Sequence, residues 1–599
     1  MLRKDQCWRC DTICSPPSPK VSCSGCGIAF YCSEVCKHND VFRHQVDCQT
    51  AALRRKCAGC GREKTGLKPC GSCRKEWYCD KECQRNSWPT HKADCQAISA
   101  KTEELSRQLE IFYHSVKSIM GPGMGTVYYW GNMPAVDLIN LPLNEGVQYN
   151  KPLSILVCGV GDPRNVLLSL SQLPDGFNEE LTFVLNDICS CVMARTVLLL
   201  YMLIKGGEQI SNSVTQIWYS LRLSEEDFRL VKSTLQELIH ASSLEELTRG
   251  AMKMEQDHLR TLVQVWRTWL ELSSREGDWI TEERRRMFKS DRYSKDGMDL
   301  YLKEIPKEHK KSASDWFANG ILLPKGSRKD LTRENFTLTG FPAAFRNQID
   351  GPYPFRYILD PSVIPFGVWD YKNVKQHFHC ASLLTMYSQY ISHVLQKCVA
   401  TLSTGQVKFH FLLCDCMEMT PFLPADRKYD RVATSNIPDY QPLTSILDMC
   451  KPLLNTANPS AVIITEFQNW SSHISLFQKE LLHSLETVTG SFRQQVLQDT
   501  QNPAIAYSNE KVAFMQYHDH SKEFTQFLRA ALLVTDRETP DKVNRRRTWR
   551  SVADYNGLVA RDFLRCQNRV FPARWMQNCR RVTMMTGFER AVEWIVNPQ

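Results

Sequence analysis

The first 95 residues carry a spacing that few folds can satisfy. Cys7-x2-Cys10, Cys23-x2-Cys26, Cys32-x3-Cys36 and His44-x3-Cys48 are followed by Cys57-x2-Cys60, Cys70-x2-Cys73, Cys79-x3-Cys83 and His91-x3-Cys95. From the fourth donor onward the two sets step in register, so the segment is a tandem repeat of a unit with seven cysteines and one histidine. A unit of about 40 residues cannot bury enough apolar surface to fold alone. A structural zinc ion takes four N or S donors in a tetrahedron, so eight donors hold two ions per unit, four zinc ions in all. Each contributes on the order of 10 kcal/mol to the folding of a small finger. Every coordination position is then filled by protein, which gives the ions a structural role. Cys14 lies beside the first set and competes with Cys10, which keeps the two-residue gap.

Of the 25 cysteines in the chain, 15 fall in this segment. The opening stretch "MLRKDQCWRC" has no apolar core, so no secretory leader is expected. Metal binding in a reducing compartment, the cytoplasm or the nucleus, is expected in place of disulfides. The apolar run "TVLLLYMLI" (196–204) is far short of the ~20 residues that span a bilayer, so no membrane partner is expected. The formal net charge of +9 falls to about +3 once fourteen thiolates and four zinc ions are included, which argues against a nucleic-acid partner.

The two units resemble MYND-type zinc fingers over 7–48 and 57–95. That resemblance implies interleaved ligands. Cys7, Cys10, Cys32 and Cys36 would share one ion, and Cys23, Cys26, His44 and Cys48 the next. Cys57, Cys60, Cys79 and Cys83, and then Cys70, Cys73, His91 and Cys95, would repeat the arrangement. It also implies capture of short proline-containing peptides by a Gln just after the sixth ligand and a Trp four residues later. The second finger has both, in Gln84 and Trp88; the first has Lys37 and Val41 at those places.

Beyond the fingers, 154–158, 181–185, 407–414, 428–436 and 460–467 read as strands, and 165–173, 188–204, 374–399 and 443–454 as helices. Helices are also expected at 223–247, 252–272, 522–533 and 552–564. The expected fold class is α/β: two small zinc-stabilised fingers, then a doubly wound, Rossmann-like sheet with a large, mainly helical insertion. The expected boundaries are 1–50 and 51–98 for the fingers, 99–205 and 373–520 for the two parts of the sheet domain, 206–372 for the insertion, and 521–599 for a C-terminal helical extension.

The first strand runs into "CGVGDPRN" (158–165). A glycine-rich first turn lets backbone approach a cofactor, and an acid after the second strand takes ribose hydroxyls. Gly159 and Gly161 supply part of the first, and Asp187 the second; Asp415 follows a later strand, where a strand-end Asp also commonly caps a helix. The sheet resembles class I S-adenosylmethionine-dependent methyltransferases, whose loop reads Gly-x-Gly-x-Gly. Pro163 takes the place of the third glycine, removing an N–H that an anionic ligand would use, and Arg164 adds a bulky cation at the rim. "SNIPDY" (435–440) resembles the substrate-side Asn-Pro-Pro-Tyr motif only at Asn436 and Tyr440. Residues 127–230 resemble more closely a domain shared by MYND-finger proteins of unknown function and an axonemal dynein assembly factor family. These resemblances imply a degenerate methyltransferase-like body with Gly159, Gly161, Asp187 and Asp415 as the cofactor-binding positions, and no catalytic residue is assigned. Cys189 and Cys191 lie on an apolar helix and read as core. The expected function is a zinc-dependent interaction or assembly scaffold; the alternative is a protein methyltransferase whose fingers recruit substrate.

Overall fold

The computed structural model describes residues 21–24, 30–35, 37–38, 55–64, 67–70, 73, 76–119, 127–341, 355–473, 521–534, 554–571 and 589–596, apart from 208, 291–297, 300, 303–304, 328–329, 358, 362, 425, 556 and 562–567. Among the described residues nine strands form the central sheet, numbered here in chain order: β1 Leu153–Cys158, β2 Leu181–Asp187, β3 Met252–Met254, β4 Val407–Leu413, β5 Arg431–Ala433, β6 Val462–Phe467, β7 Asp554–Tyr555, β8 Leu558–Ala560 and β9 Arg590–Val596. Their order is β3-β4-β2-β1-β5-β6-β9-β8-β7. The run from β3 to β6 is parallel throughout, with Ile155 opposite Phe183 on one side and Arg431 on the other. The order reverses between β1 and β5. On the far side β9 pairs antiparallel with β6, and β8 and β7 close the edge as an antiparallel hairpin.

The central strands are near-continuous apolar runs because both faces are covered. Side chains alternate between two cores. Ile155, Val157, Phe183 and Leu185 face one that includes the helices Ser190–Gly206 and Leu383–Ser403. Leu156, Cys158, Val184 and Leu412 face the other, which holds the helices Leu443–Cys450 and Ser521–Leu533. The helix Lys81–Ile119, here α1, joins this second core through Leu105, Leu109 and Tyr113. It has 39 residues, so it spans roughly 58 Å at 1.5 Å per residue. The boundary expected at residue 98 therefore falls inside one continuous helix.

Three further expectations are corrected. Residues 252–254, read as the start of a helix, form β3 at the sheet edge. Met252 and Met254 are buried while Lys253 is exposed, a period of two that the longer helical pattern after it obscures. The expected insertion thus contributes to the sheet, and its Trp218, Trp266 and Trp269 lie fully buried in the same core as β1 and β2. The helix expected at 552–564 is replaced by the β7–β8 hairpin. Gly557 has φ +76°, and the Asn556-Gly557 pair is a hairpin signal that the apolar run around it outweighed. Finally, β8 and β9 make the expected C-terminal extension part of the sheet, although the helix at Ser521–Leu533 falls where expected.

Candidate metal centres and strand-end loops

The second finger is built from two short hairpins and the start of α1. Arg55–Lys56 pairs with Glu63–Lys64, and the turn between them presents Cys57 and Cys60. Gly61 adopts φ +71°, and its N–H donates to the Cys57 carbonyl at 2.7 Å. A Cβ on Gly59 would lie 2.3 Å from the Cys83 carbonyl oxygen, so only glycine lets the turn close on α1. Lys68–Pro69 pairs antiparallel with Trp77–Tyr78, so Cys70 and Cys79, each just after its strand, lie at opposite ends of the hairpin and enter different donor groups. Asp80 accepts the Cys83 N–H at 2.8 Å as α1 begins. His91 and Cys95, four residues apart, share one face of that helix.

Two donor groups result, Cys57–Cys60–Cys79–Cys83 and Cys70–Cys73–His91–Cys95, each with all its donor atoms within 4.8 Å of one another. The Cys60 and Cys79 sulfurs are 3.7 Å apart, those of Cys70 and Cys95 3.9 Å, and Cys73 Sγ is 3.2 Å from His91 Nε2. A Zn–S bond of about 2.3 Å gives a tetrahedron edge of about 3.8 Å, so spacing and donor chemistry both fit zinc. The grouping is the interleaved one that the resemblance implies. The Arg62 amide and guanidinium hold the Cys60 thiol down to about 6, in the thiolate form that a metal needs.

In the first finger, Val21–Ser22 pairs with Phe30–Tyr31 as Lys68–Pro69 pairs with Trp77–Tyr78, leading into Cys23 and Cys32 as the later hairpin leads into Cys70 and Cys79. Cys7, Cys10, Cys26, Cys36, His44 and Cys48 lie outside the described residues. In the second finger Gln84 Nε2 reaches Cys70 Sγ at 3.8 Å, and Trp88 meets the His91 ring edge-on at 5.9 Å. Trp88 is nonetheless 38% exposed, enough to offer a ring face to a partner.

At the carboxyl ends of the strands the groups turn inward. Gly159 and Gly161 have φ +65° and +56°, the left-handed conformation that favours glycine. Asp187 is buried; its two carboxylate oxygens accept the Gly161 and Cys189 N–H groups, both at 2.9 Å. Asp415 caps the turn after β4, accepting the Met417 N–H at 3.0 Å. The Ile437 side chain stands over Gly159, 3.5 Å from where a Cβ would be. Arg164 is not a cation at a ligand rim. It opens the helix Arg164–Ser171, is buried, pairs with Asp162 at 2.5 Å and donates to the Met133 carbonyl at 2.9 Å. Two carboxyls that sequence reading missed, Glu466 and Asp439, are buried nearby. Burial pushes them up to about 7 and about 6, opposed at Glu466 by Arg164 and at Asp439 by the Gln468 and Asn469 N–H groups. Cys189 and Cys191 are core, as expected.

With this geometry in place, residues 7–48 and 57–95 both match the MYND finger family. Residues 129–223 match a Domain of unknown function (DUF4470), which spans β1, β2 and the loops around Gly159, Gly161 and Asp187. The chain carries two tandem MYND fingers and a DUF4470 domain. It is similar to dynein axonemal assembly factor 3 of Danio rerio, with 25% identity over 159 residues, covering 24% of this chain and 33% of that protein. The chain thus matches about a third of that relative's length. No solved structure matches the chain. Among the described residues no helix is long and apolar enough to cross a membrane.

Proposed function

We propose that this chain is a zinc-dependent protein-interaction scaffold that acts in the assembly of other proteins, in the cytoplasm or the nucleus. The observation that carries the reading is the closure of both donor groups of the second finger: four protein donors each, with no position left for a substrate. The likeness to a protein named as an assembly factor supports the same role. The register shared by the two hairpins supports extending the ligand sets to Cys7, Cys10, Cys32 and Cys36 and to Cys23, Cys26, His44 and Cys48, for four zinc ions per chain. Elemental analysis of protein purified without added metal is expected to give four equivalents; two or fewer in a well-folded sample would remove the first finger from the scheme. We assign capture of proline-containing peptides to Trp88 and Gln84. Trp88→Ala is expected to abolish capture of such peptides in a fluorescence titration without zinc loss, and Val41→Ala to leave it unchanged; equal loss from both would refute the assignment.

A second reading treats the body as a methyltransferase-like fold that binds S-adenosylmethionine. The strand order, reversed between β1 and β5, and the left-handed glycines after β1 favour it. The internal use of Asp187 favours a body that no longer needs the ligand. Calorimetric titration of the zinc-loaded chain with S-adenosylmethionine and S-adenosylhomocysteine separates the two. No heat at millimolar ligand leaves the scaffold reading alone, whereas micromolar binding with methyl transfer to a captured protein would replace it.

A further inference from the structure

The two donor groups of the second finger leave different charges and meet different cations. Four thiolates on Zn2+ leave a charge of −2, whereas three thiolates and a neutral imidazole leave −1. At the first group the cation is local. Arg62, two residues after Cys60, bonds its sulfur and also faces Cys79 and Cys83, and it stands exposed. At the second group all four donors are buried. The cation there comes from the far end of the chain: Arg529, on the helix Ser521–Leu533, interacts electrostatically with Cys73, Cys95 and Cys70. It is only 7% exposed. Its helix packs along α1, which carries His91 and Cys95. The same helix is fixed to the body by Phe524 and Phe527, which pack on Phe467 at the end of β6 and on Trp470.

A buried guanidinium is costly unless a negative charge compensates it, and so is a buried anionic metal site. Each offsets part of the other's cost, although for Arg529 burial remains the larger effect. We propose that Arg529 is the outer-sphere cation of the Cys70–Cys73–His91–Cys95 zinc site, so that the body helps retain zinc in the second finger. By linkage, zinc in that finger then holds the helix Ser521–Leu533 in place. Arg529 is a positioning residue and not a ligand: it acts through the thiolates. Without zinc the donors are no longer held together, and the buried guanidinium loses the fixed site it packs against.

The test uses the full, zinc-loaded chain and a chromogenic chelator. Arg529→Met keeps an unbranched apolar stem and removes the charge; Arg529→Lys keeps the charge. Arg529→Met is expected to weaken one zinc equivalent 10–100-fold, the usual effect of losing such an outer partner, and Arg529→Lys to recover part of it. Arg62→Met is expected to do less, because solvent screens an exposed pair. Native circular dichroism with zinc affinity within twofold of wild type in Arg529→Met would overturn the proposal. If Arg529→Met does not fold, hydrogen exchange on the wild-type chain decides. Faster exchange across 521–534 on chelation supports the linkage, and unchanged exchange there refutes it.

Discussion

The second finger and the loops after β1 and β2 both present polar groups at spacings that the sequence marks as a ligand site, and they use them in opposite ways. In the finger, thiols are held 3.7–3.9 Å apart within groups of four donors, a geometry that fits a shared cation. In the loops, Asp187 spends both oxygens on backbone N–H groups, and Arg164 and Asp162 satisfy each other. Crowded anions need a ligand, whereas a carboxylate that finds its own donors does not. Structure alone can keep such an acid in place.

The largest expected effect strikes the finger side of this comparison. Chelation of zinc, or Cys83→Ala, should unfold the second finger, since each structural ion supplies on the order of 10 kcal/mol. Amide exchange should rise across 55–95 while β1 and β2 stay protected, because among the described residues the finger's metal donors belong to neither of their cores. A finger that keeps its protection without metal would show that its apolar contacts suffice, and the contrast with the loops would collapse.

The same contrast explains what could be read in advance. The zinc groups were legible because metal coordination demands donor type and number together, and a repeat in register leaves little room for chance. The strands β1, β2, β4, β5 and β6 were legible from apolar runs, though not their order in the sheet. β3 was not, because three residues of alternating pattern lead directly into the helix Gln256–Leu272. β7, β8 and β9 were missed because antiparallel strands added beyond the parallel run need partners that sequence order does not reveal. Glycines and a strand-end acid identified a loop but not its use: Gly161 and Asp187 bond each other, which spacing cannot distinguish from waiting for a ribose. Arg529 carries no local signal at all; only packing brings it to the thiolates.

A smaller effect tests whether the strand-end carboxyls are closed in. Burial raises Glu466 to about 7, above the ordinary 4.5. A raised carboxyl favours the protonated folded state, so its contribution is fully present below pH 4.5 and is lost as pH rises through about 7. Glu466→Gln stays neutral at every pH. The variant and wild type should therefore match near pH 4.5, and by pH 8 the variant should be the more stable by on the order of 3 kcal/mol. Urea denaturation at both pH values measures this. An unchanged difference between them would mean that water or a ligand reaches Glu466, and the loops would then resemble an open site.

An effect of similar size falls on the residue that defines the comparison. Removing the Asp187 carboxylate leaves the Gly161 and Cys189 N–H groups without their acceptor, and a hydrogen bond to a charged group is worth about 1.5–3 kcal/mol. Asp187→Ala should lower the thermal midpoint by several degrees whether or not S-adenosylmethionine is present. Asp187→Asn should recover part of the loss, since its amide oxygen still accepts one of the two N–H groups. A ligand-binding acid would behave otherwise. Wild type would gain stability from added S-adenosylmethionine, Asp187→Ala would lose that gain, and the two would melt together without it. Thermal melts of both proteins with and without ligand therefore decide whether Asp187 supports the loop or awaits a partner.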